Sequence, residues 1–449
     1  MILILQAVKD ELLLFALVGF LLGGIDDLCF DLAWLGCWLA GRRRPAMPHP
    51  AAPFLAAAPP APFNPAVFVP AWREEAVIGD TLRAALARWD GQKFDIFVGC
   101  YRNDPATVHA AKAVRDCRIH VISSDVDGPT TKADCLNRLY QAMQRHAAAT
   151  GAVYQAVVLH DAEDLVHPQE LAVFAEFIGR YSLIQLPVLP LQTKGSRWVS
   201  GHYLDEFTEA HSRDMVVRSA VGTSLPAAGV GCAIKISALV DLALQNGGHP
   251  FAVDSVTEDY ELGLRMTELG RRSIFVRRAG ADGRGLIATR AHFPCELIAA
   301  VRQKARWTMG IALAGWDRLG WSQSWFDNWM RWRDRRSPFA AVILVSGYAA
   351  ILFSIGLFFL GEPFLPQDPW FRFALRMTAF LLSWRLLIRA LCVRHHYGWR
   401  SAILSIPRSL VANIIAILAA RVALFDYLSY LRSGRLVWEK TQHRSPLDA

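Results

Sequence analysis

The sequence has little that would stabilise a small secreted or zinc-binding fold. Its eight cysteines are scattered and form no C-x-x-C pair, so neither a disulfide framework nor a zinc site is indicated. We expect them to be reduced, mostly buried thiols in a cytosolic compartment. The chain has no internal repeats, and its apolar run at residues 11–40 lacks a small-residue cleavage site. That run therefore predicts an uncleaved membrane anchor rather than a signal peptide.

Apolar and basic residues are abundant. Hydrophobic residues make up 53% of the chain, the mean hydropathy is +0.23, and there are 15 tryptophans. These values are typical of a membrane protein that carries a soluble domain. The formal charge of +8 could suggest a nucleic-acid partner, but the basic residues crowd beside apolar runs. That placement is typical of the cytoplasmic side of a bilayer, so we expect membrane lipids and no nucleic acid as partners.

The first two segments are predicted to be a membrane anchor, residues 1–41, and a linker, residues 42–65. Asp26, Asp27 and Asp31 interrupt the anchor. Carboxylates inside a membrane are functional candidates, although a break between a spanning and an interfacial helix would explain them equally well. Three arginines follow the anchor and place its C-terminal end in the cytoplasm. The linker is rich in proline and alanine, which predicts a stiff, extended segment.

Residues 66–290 alternate between strand and helix patterns. Strands are predicted near 67–69, 94–99, 118–123 and 157–159, with helices near 78–89, 107–116 and 132–146 between them. Strands that alternate with helices of this length form a parallel sheet. We therefore predict an α/β nucleotide-binding domain.

The strand at 157–159 runs directly into three acidic side chains, Asp161, Glu163 and Asp164. Ligands of open α/β sheets bind beyond the carboxyl ends of the strands. Clustered carboxylates there suit Mg²⁺ or Mn²⁺, which would neutralise a substrate diphosphate. The alternative is an acidic loop that caps the next helix, and this pattern alone leaves both interpretations open.

Five further positions of this domain could contribute to a site. Glu74 lies in the loop after the first strand, Lys132 opens a helix where it could reach a phosphate, and Gly229 permits close approach of the backbone to a ligand. Glu258 and Asp259 open another helix, where they favour the helix dipole. A functional role requires one of these two carboxylates to face the crevice as a general base. Glycine turns, capping lysines and acidic first turns are common, so each signal is weak alone.

Residues 291–337 are predicted to form amphipathic, interfacial helices. Gln303, Arg306 and Trp307 fall at i, i+3 and i+4 and share one helix face. An arginine beside a tryptophan suits a leaving diphosphate and the apolar face of a sugar ring. The alternative is an interfacial helix with tryptophan at headgroup level.

Residues 338–424 are predicted to hold two spanning helices and one helix that is re-entrant or interfacial. The apolar runs 339–360 and 371–393 are long enough to cross a bilayer. The loop between them carries no Lys or Arg and so faces outward. A third crossing would put the basic tail, residues 425–449, outside against the same rule. We therefore predict a multi-pass protein of the cytoplasmic (inner) membrane whose soluble domain and tail face the cytoplasm.

Three motifs occur in an order that resembles the membrane-bound glycosyltransferase family 2, the group with cellulose, chitin and hyaluronan synthases. They are Asp161-Ala162-Glu163-Asp164, Thr257-Glu258-Asp259 and Gln303-Lys304-Ala305-Arg306-Trp307, ahead of membrane helices. More narrowly, the chain resembles the phage-adsorption protein B branch. That likeness is carried by residues 24–27, 69–72, 132–137, 159–164, 204–207 and 437–441, and it covers nearly the whole chain.

The resemblance implies a mostly parallel GT-A type domain that binds a nucleotide sugar, between an N-terminal anchor and C-terminal interfacial and transmembrane helices. Asp161 and Glu163, with Asp164 adjacent, would hold Mg²⁺ or Mn²⁺ on the donor's diphosphate. Asp259, with Glu258 beside it, would deprotonate the acceptor. The resemblance assigns donor contacts to Glu74, Asp104, Lys132, Asp161, Gly229 and Arg306, and acceptor contacts to Gln303 and Trp307.

Two departures from the family pattern affect these assignments. The acidic pair that usually ends the second strand is replaced by Gly99-Cys100-Tyr101, and only Asp104 remains. A UDP-sugar is still the expected donor, but the case for uridine is weakened. Longer members of the branch continue past the region of Trp438 into a domain that binds a cyclic dinucleotide. We expect that control to be absent here or supplied by another chain.

The leading hypothesis is an inverting, metal-dependent glycosyltransferase that extends a cell-surface or secreted polysaccharide by hexosyl or N-acetylhexosaminyl transfer. About three spanning segments would make too small a channel alone, so secretion would need a dimer or an envelope or outer-membrane export partner. One alternative is a single-transfer enzyme that acts on a lipid-phosphate acceptor. Another is a non-catalytic scaffold or phage-receptor component, which is disfavoured because clustered like charges destabilise a fold without a metal.

Overall fold

The computed structural model describes residues 2–43, 63–193, 195–281, 283 and 285–434, with side chains from residue 2 to 40 in the first range. Most of the predicted linker, the side chains of the three arginines at 42–44, and the tail from residue 435 lie outside this description. The segment 437–441, which carries part of the family resemblance, is among the residues outside it.

The strands of the described chain form one large sheet and one small one. They are β1 Ala66–Pro70, β2 Asp95–Tyr101, β3 Ile119–Ser124, β4 Ala156–Leu159, β5 Leu183–Gln185, β6 Val188–Pro190, β7 Cys232–Lys235, β8 Ser273–Phe275 and β9 Thr289–Ala291. The large sheet has the order β3-β2-β1-β4-β7-β5-β8, and β6 pairs with β9. Strand β7 runs antiparallel to β4 and β5, whereas the other pairings are parallel. The predicted mostly parallel sheet is confirmed.

Helices connect the strands and then extend beyond the sheet. They are α1 Ile2–Arg43, α2 Ile78–Arg88, α3 Pro105–Lys112, α4 Lys132–Thr150, α5 Glu170–Phe177, α6 Val199–Glu209, α7 Met215–Val221, α8 Ile236–Gln245, α9 Glu258–Glu268, α10 Leu297–Thr308, α11 Ala314–Leu319, α12 Trp325–Arg335, α13 Ser337–Phe359 and α14 Pro369–Ser433. Two π-helical segments, Ala210–Asp214 and Met309–Leu313, extend α6 and α10.

The core lies on both faces of the large sheet. Val67 and Val158 point to the face covered by α2, and the alternate residues Phe68 and Val157 point to the face covered by α4. All residues of β1 and β4 are buried, as expected for central strands with helices on both sides. This two-sided burial explains the nearly continuous apolar runs in the sequence.

Three of the described helices are long and apolar enough to cross a membrane: α1 over residues 2–40, α13, and α14. The helical path of α14 is interrupted at Gly398, whose backbone has φ 77° and ψ 178°. After this bend the helix packs along α6 and α10 and runs on to Ser433. The helix therefore continues past residue 424, the predicted start of the cytoplasmic tail.

The three carboxylates in α1 form ion pairs where the long helices meet the soluble domain. The pairs are Asp26 with Arg333 and Arg336, Asp27 with Arg333, Arg336 and Arg385, and Asp31 with Arg213. Helix α1 continues through all three residues, so the predicted alternative of a break between two helices is wrong. Tertiary ion pairs explain these acidic positions without a break.

Candidate active site

The candidate site lies at the carboxyl ends of β1 and β4. Because β7 is antiparallel to β4, the turn that precedes β7 lies beside the loop that follows β4. The amide of Gly231 donates to the carbonyl oxygen of Leu159 over 3.0 Å, which joins the two segments. Helix α9 opens onto the same place, so three segments that are distant in sequence converge at one edge of the sheet.

Lys132 and Asp161 form an ion pair at the centre of this edge, with Nζ 2.5 Å from Oδ1. Thr131 caps α4 by accepting from the amide of Asp134, which fixes Lys132 in the first turn. Burial alone would lower the pKa of Lys132, but the charges of Asp161, Glu258 and Asp259 raise it. Lys132 therefore stays protonated. Its charge interacts with those of three other predicted site residues, Asp161, Glu258 and Asp259.

Glu258 and Asp259, in the first turn of α9, form a strained pair of like charges. Burial, and then the charge of Asp259, raise the pKa of Glu258 to about 7. Burial also raises the pKa of Asp259, against the opposing charges of Lys132 and Arg306. A Cβ on Gly229 would come 2.6 Å from Asp259 Oδ2, so this glycine lies directly against the carboxylate.

The acidic loop after β4 is held by a buried histidine. His160 bonds to Asp164 Oδ2 through Nδ1 at 3.0 Å and to Glu170 Oε1 through Nε2 at 2.7 Å. Burial alone would lower the pKa of His160, but Glu170 and Asp164 raise it to about 10. Asp164 Oδ2 also accepts from the amide of Asp161 over 3.0 Å. The geometry thus gives Asp164 a structural role in the loop, and its role as a metal ligand stays a prediction.

Sequence reasoning missed His160 as a contributor to this site. The available signal was a polar side chain at the end of an apolar strand, with carboxylates four and ten residues later. Which of those carboxylates it contacts depends on the fold of the loop up to Glu170. The sequence spacing alone does not contain that information.

The donor set at this edge fits a hard divalent cation by its chemistry. Asp161 and Glu163 offer carboxylate oxygens, which Mg²⁺ and Mn²⁺ prefer. Burial, and for Glu258 also the charge of Asp259, raise the pKa values of these two carboxyl groups, and a cation bound nearby would favour their ionised forms. Within the described residues, no group of three or more His, Cys, Asp or Glu side chains is arranged around a metal position. Lys132 supplies the positive charge beside Asp161.

Two predicted donor contacts, Glu74 and Asp104, lie in the loops after β1 and β2. Asp104 is buried and accepts from the amides of Arg73, over 2.6 Å, and Thr107, over 3.4 Å. The amide of Glu74 donates to Thr107 Oγ1 over 2.8 Å. These bonds give Asp104 a structural role as the N-cap of α3 and the anchor of the neighbouring loop, and its donor contact stays a prediction.

An aromatic pair beside these loops was also missed. The rings of Trp72 and Tyr101 meet edge to face, with centroids 5.2 Å apart, and Tyr101 Oη lies 2.7 Å from Thr130 Oγ1. A Cβ on Gly128 would come 2.7 Å from both rings. The pair ties the loops after β1, β2 and β3 together, which the sequence motifs by themselves do not reveal.

Helix α10 packs against the start of α9. A Cβ on Gly310, just past α10, would come 2.6 Å from Thr257 Cγ2. Thr257 occupies the N-cap position of α9, but its side chain makes no cap hydrogen bond. In this arrangement the positive charge of Arg306 lowers the pKa of Asp259, against the effect of burial. The close packing, rather than hydroxyl capping, explains the threonine.

Of the other two predicted residues of α10, Trp307 faces α6. Trp307 contacts the rings of Tyr203 and Phe207, with centroid distances of 6.1 and 6.0 Å. Gln303 Oε1 is buried and has no hydrogen-bond partner among the described residues. Trp307 therefore lies at the boundary between the soluble domain and α14, where it packs near Val411 and Ile415.

The chain is similar to a family of glycosyltransferases and to two curated proteins. Residues 61–310 match the family described as Glycosyltransferase like family 2, and the chain belongs to that family. It is 34% identical over 409 residues to bacteriophage adsorption protein B of Escherichia coli K12 and to bacteriophage N4 adsorption protein B of E. coli O157:H7. These matches cover 85% of this chain and 55% of each relative. The chain thus spans about half the length of these curated relatives.

A solved structure shares the fold. The mannosyltransferase of Pyrobaculum calidifontis, in complex with GDP-mannose and Mn²⁺, matches with a TM-score of 0.54 and 16% sequence identity. The match covers 94% of this chain and 99% of that chain. At this identity the likeness shows the fold alone. It confirms the predicted GT-A architecture with long apolar helices at both ends.

Proposed function

We propose that the chain is an inverting, metal-dependent glycosyltransferase of the cytoplasmic membrane. It would transfer a hexosyl or N-acetylhexosaminyl group from a nucleotide sugar, with a UDP-sugar as the expected donor, to a glycan acceptor. The observation that carries this proposal is the convergence of Lys132, Asp161, Gly229, Glu258 and Asp259 at one edge of a GT-A sheet. The family match supports it.

In the proposed reaction Asp259 accepts the proton of the acceptor hydroxyl. The acceptor oxygen bonds to the anomeric carbon while the bond from that carbon to the diphosphate oxygen breaks, which inverts the configuration. A raised pKa suits this role, because a general base works best when its pKa lies nearer the working pH. The packed backbone of Gly229 keeps the carboxylate in position.

The departing diphosphate carries the negative charge that the site must stabilise. Lys132 and Arg306 would bind it and balance part of that charge. Asp161 and Glu163 would hold Mg²⁺ or Mn²⁺, which when bound supplies further charge stabilisation. Asp164 and His160 would shape the loop that presents these two carboxylates.

The acceptor would approach along α10, where Trp307 offers an apolar face and Gln303 a buried, unpartnered oxygen. We propose that the domain of residues 66–290 binds the donor and that residues 291–337 contact the acceptor. The long helices would place the site on the cytoplasmic side of the inner membrane. The two relatives are named for bacteriophage adsorption, which supports a product at the cell surface and an export partner in the envelope.

The test is donor-dependent nucleotide release by the purified full chain in nanodiscs. A panel of UDP- and GDP-sugars would be screened with Mg²⁺ or Mn²⁺, and then with EDTA. Asp259→Asn should lower release by at least about 100-fold, whereas Asp254→Asn, an exposed carboxylate five residues earlier, should leave it unchanged. Release that survives EDTA or Asp259→Asn would contradict the metal or base assignment. No release with any donor would favour the scaffold alternative.

A further inference from the structure

The bend of α14 carries positive charge that the described chain does not balance. Residues 369–425 contain eight arginines and no Asp or Glu. Some of these arginines have carboxylate partners on α1 and α6, as in the pairs Arg385–Asp27, Arg389–Glu209 and Arg408–Asp205. Arg394 and Arg400, on either side of Gly398, are exposed and have no such partner among the described residues. The bend is therefore a basic surface without its own counter-charge.

Arg277 reaches this bend from the soluble domain. Its Nη2 lies 3.5 Å from Nε2 of His396, and its Nε is fully buried without a hydrogen-bond partner in the described part of the chain. The next residue, Arg278, pairs with Glu176, whereas no described carboxylate pairs with Arg277. An arginine stays charged in proteins, and a buried charge without a partner is costly. The position of Arg277 thus calls for an anion.

Among the neighbouring groups Arg290 adds to the positive potential, whereas His211 is neutral and Asp205 is already paired. The positive charges of Arg290 and Arg277 both interact electrostatically with His396. Burial, and then the charge of Arg277, lower the pKa of His211 to about 4, which leaves that imidazole neutral beside the guanidinium. The negative charge of Asp205 also affects Tyr397, near the bend. The Asp205 carboxylate is, however, already paired with Arg408.

The bend also has the features of a membrane interface. The guanidinium of Arg394 lies 4.2 Å from the ring centre of Trp399. Trp399 is 60% exposed and Ile403 is 64% exposed, although both belong to a helix that is apolar enough to enter a bilayer. Tryptophan and arginine where a membrane-spanning segment ends, here at the bend, are typical of headgroup depth on the cytoplasmic side. An anion that meets this surface would come from a lipid.

We propose that the basic surface around the bend, formed by Arg394 and Arg400 with Arg277 beside His396, binds the phosphate groups of anionic phospholipids. Guanidinium groups bind phosphate through paired, charge-assisted hydrogen bonds. The lipid's acyl chains would lie along Trp399 and the exposed apolar residues that follow it. Bound lipid would balance Arg277 and hold the bend of α14 against the soluble domain. This site is separate from the proposed reaction and needs neither donor nor acceptor.

The test uses the full chain in neutral detergent without nucleotide sugar, and measures the Tm during titration with short-chain phosphatidylglycerol. We expect a saturable rise in Tm that matched phosphatidylcholine and inorganic phosphate do not reproduce at the same concentration. The double variant Arg394→Gln/Arg400→Gln, and separately Arg277→Gln, should raise the half-saturating lipid concentration about tenfold, the loss expected for one charge-assisted contact.

The matched control is Arg372→Gln/Arg376→Gln, two exposed arginines at the other end of the same helix, which should respond like the unmodified chain. If Arg277→Gln fails to fold, the double variant with exposed positions still decides the matter. An equal response of that variant and the unmodified chain would overturn the proposal. An equal effect of inorganic phosphate would show a site for soluble anions instead, and an equal effect of phosphatidylcholine would rule out selectivity for anionic lipid.

Discussion

Gly229 lies so close to Asp259 that the two residues leave no room for a side chain between them. A Cβ on Gly229 would come 2.6 Å from Oδ2 and 3.3 Å from Cγ of Asp259. Gly229 also has φ +74°, a conformation that L-residues other than glycine rarely adopt. The turn before β7 therefore defines where the proposed base can be.

We predict that Gly229→Ala impairs catalysis through this contact. The new methyl group would displace the Asp259 carboxylate, and a displacement of about 1 Å can cost about 100-fold in rate. Gly222→Ala is the matched control, because Gly222 has φ +72° but no atom within 4 Å of its Cβ position. Both variants should lose similar stability, seen as Tm, but only Gly229→Ala should lose nucleotide release. Equal rates in the two variants would contradict the proposed position of the base.

A second prediction concerns His160, which bonds to Asp164 and Glu170. His160→Asn would leave two buried carboxylates poorly partnered, which should lower stability by about 3 to 5 kcal/mol. It should also weaken binding of Mn²⁺ about tenfold, because residues that orient metal ligands affect affinity on that scale. Free Mn²⁺ would be measured by electron paramagnetic resonance without donor. His249→Asn, at an exposed position, is the control. A lower Tm with unchanged Mn²⁺ affinity would mean that His160 supports the fold only.

The raised pKa of Glu258 predicts a specific dependence of stability on pH. With metal and donor absent, the folded state keeps a proton up to about pH 7, whereas the unfolded state releases it near 4.5. The contribution is present below pH 4.5 and is lost as pH rises to about 7. The loss is up to about 3 kcal/mol, at about 1.4 kcal/mol per pH unit.

Glu258→Gln cannot titrate, so its Tm should fall less than that of the unmodified chain between these pH values. Glu296→Gln, which changes an exposed carboxylate, should keep the full dependence. Parallel Tm curves for Glu258→Gln and the unmodified chain would show that Glu258 is already ionised in the folded state at low pH.

Glu209 joins α6 to the long helix α14 and supports a fourth prediction. Burial alone would raise its pKa, but Arg385, Arg389 and Arg213 lower it to about 2. Glu209→Gln would leave these arginines short of one counter-charge, at a cost of about 3 to 5 kcal/mol. Thermal unfolding should show a clear fall in Tm. Glu176→Gln, which breaks the more exposed pair with Arg278, should cost less than about 1 kcal/mol. Similar losses would argue against a buried network.

Local sequence patterns determined the class of fold and the parts of the site. The alternation of apolar strands with helices such as α2 and α4 predicts a parallel sheet, because each pattern reflects the period of one element. The three motifs identify Asp161, Asp259 and Arg306, because their residue types and order are written in the chain. The long apolar runs likewise predict helix α13 and the start of α14 to within a few residues.

Only the tertiary structure decided how these parts meet. The reversed direction of β7 brings Gly229 to Asp259, and sequence periodicity does not encode strand direction. Asp27 pairs with arginines on other helices, and Asp164 bonds to His160 across its loop. The sequence alone does not show these partners, so it suggests a functional role for each carboxylate. The bonds from backbone amides to Asp104 likewise depend on the fold of the loops after β1 and β2. In each case a polar side chain takes its role from the groups packed around it, which are close in space but separated along the chain.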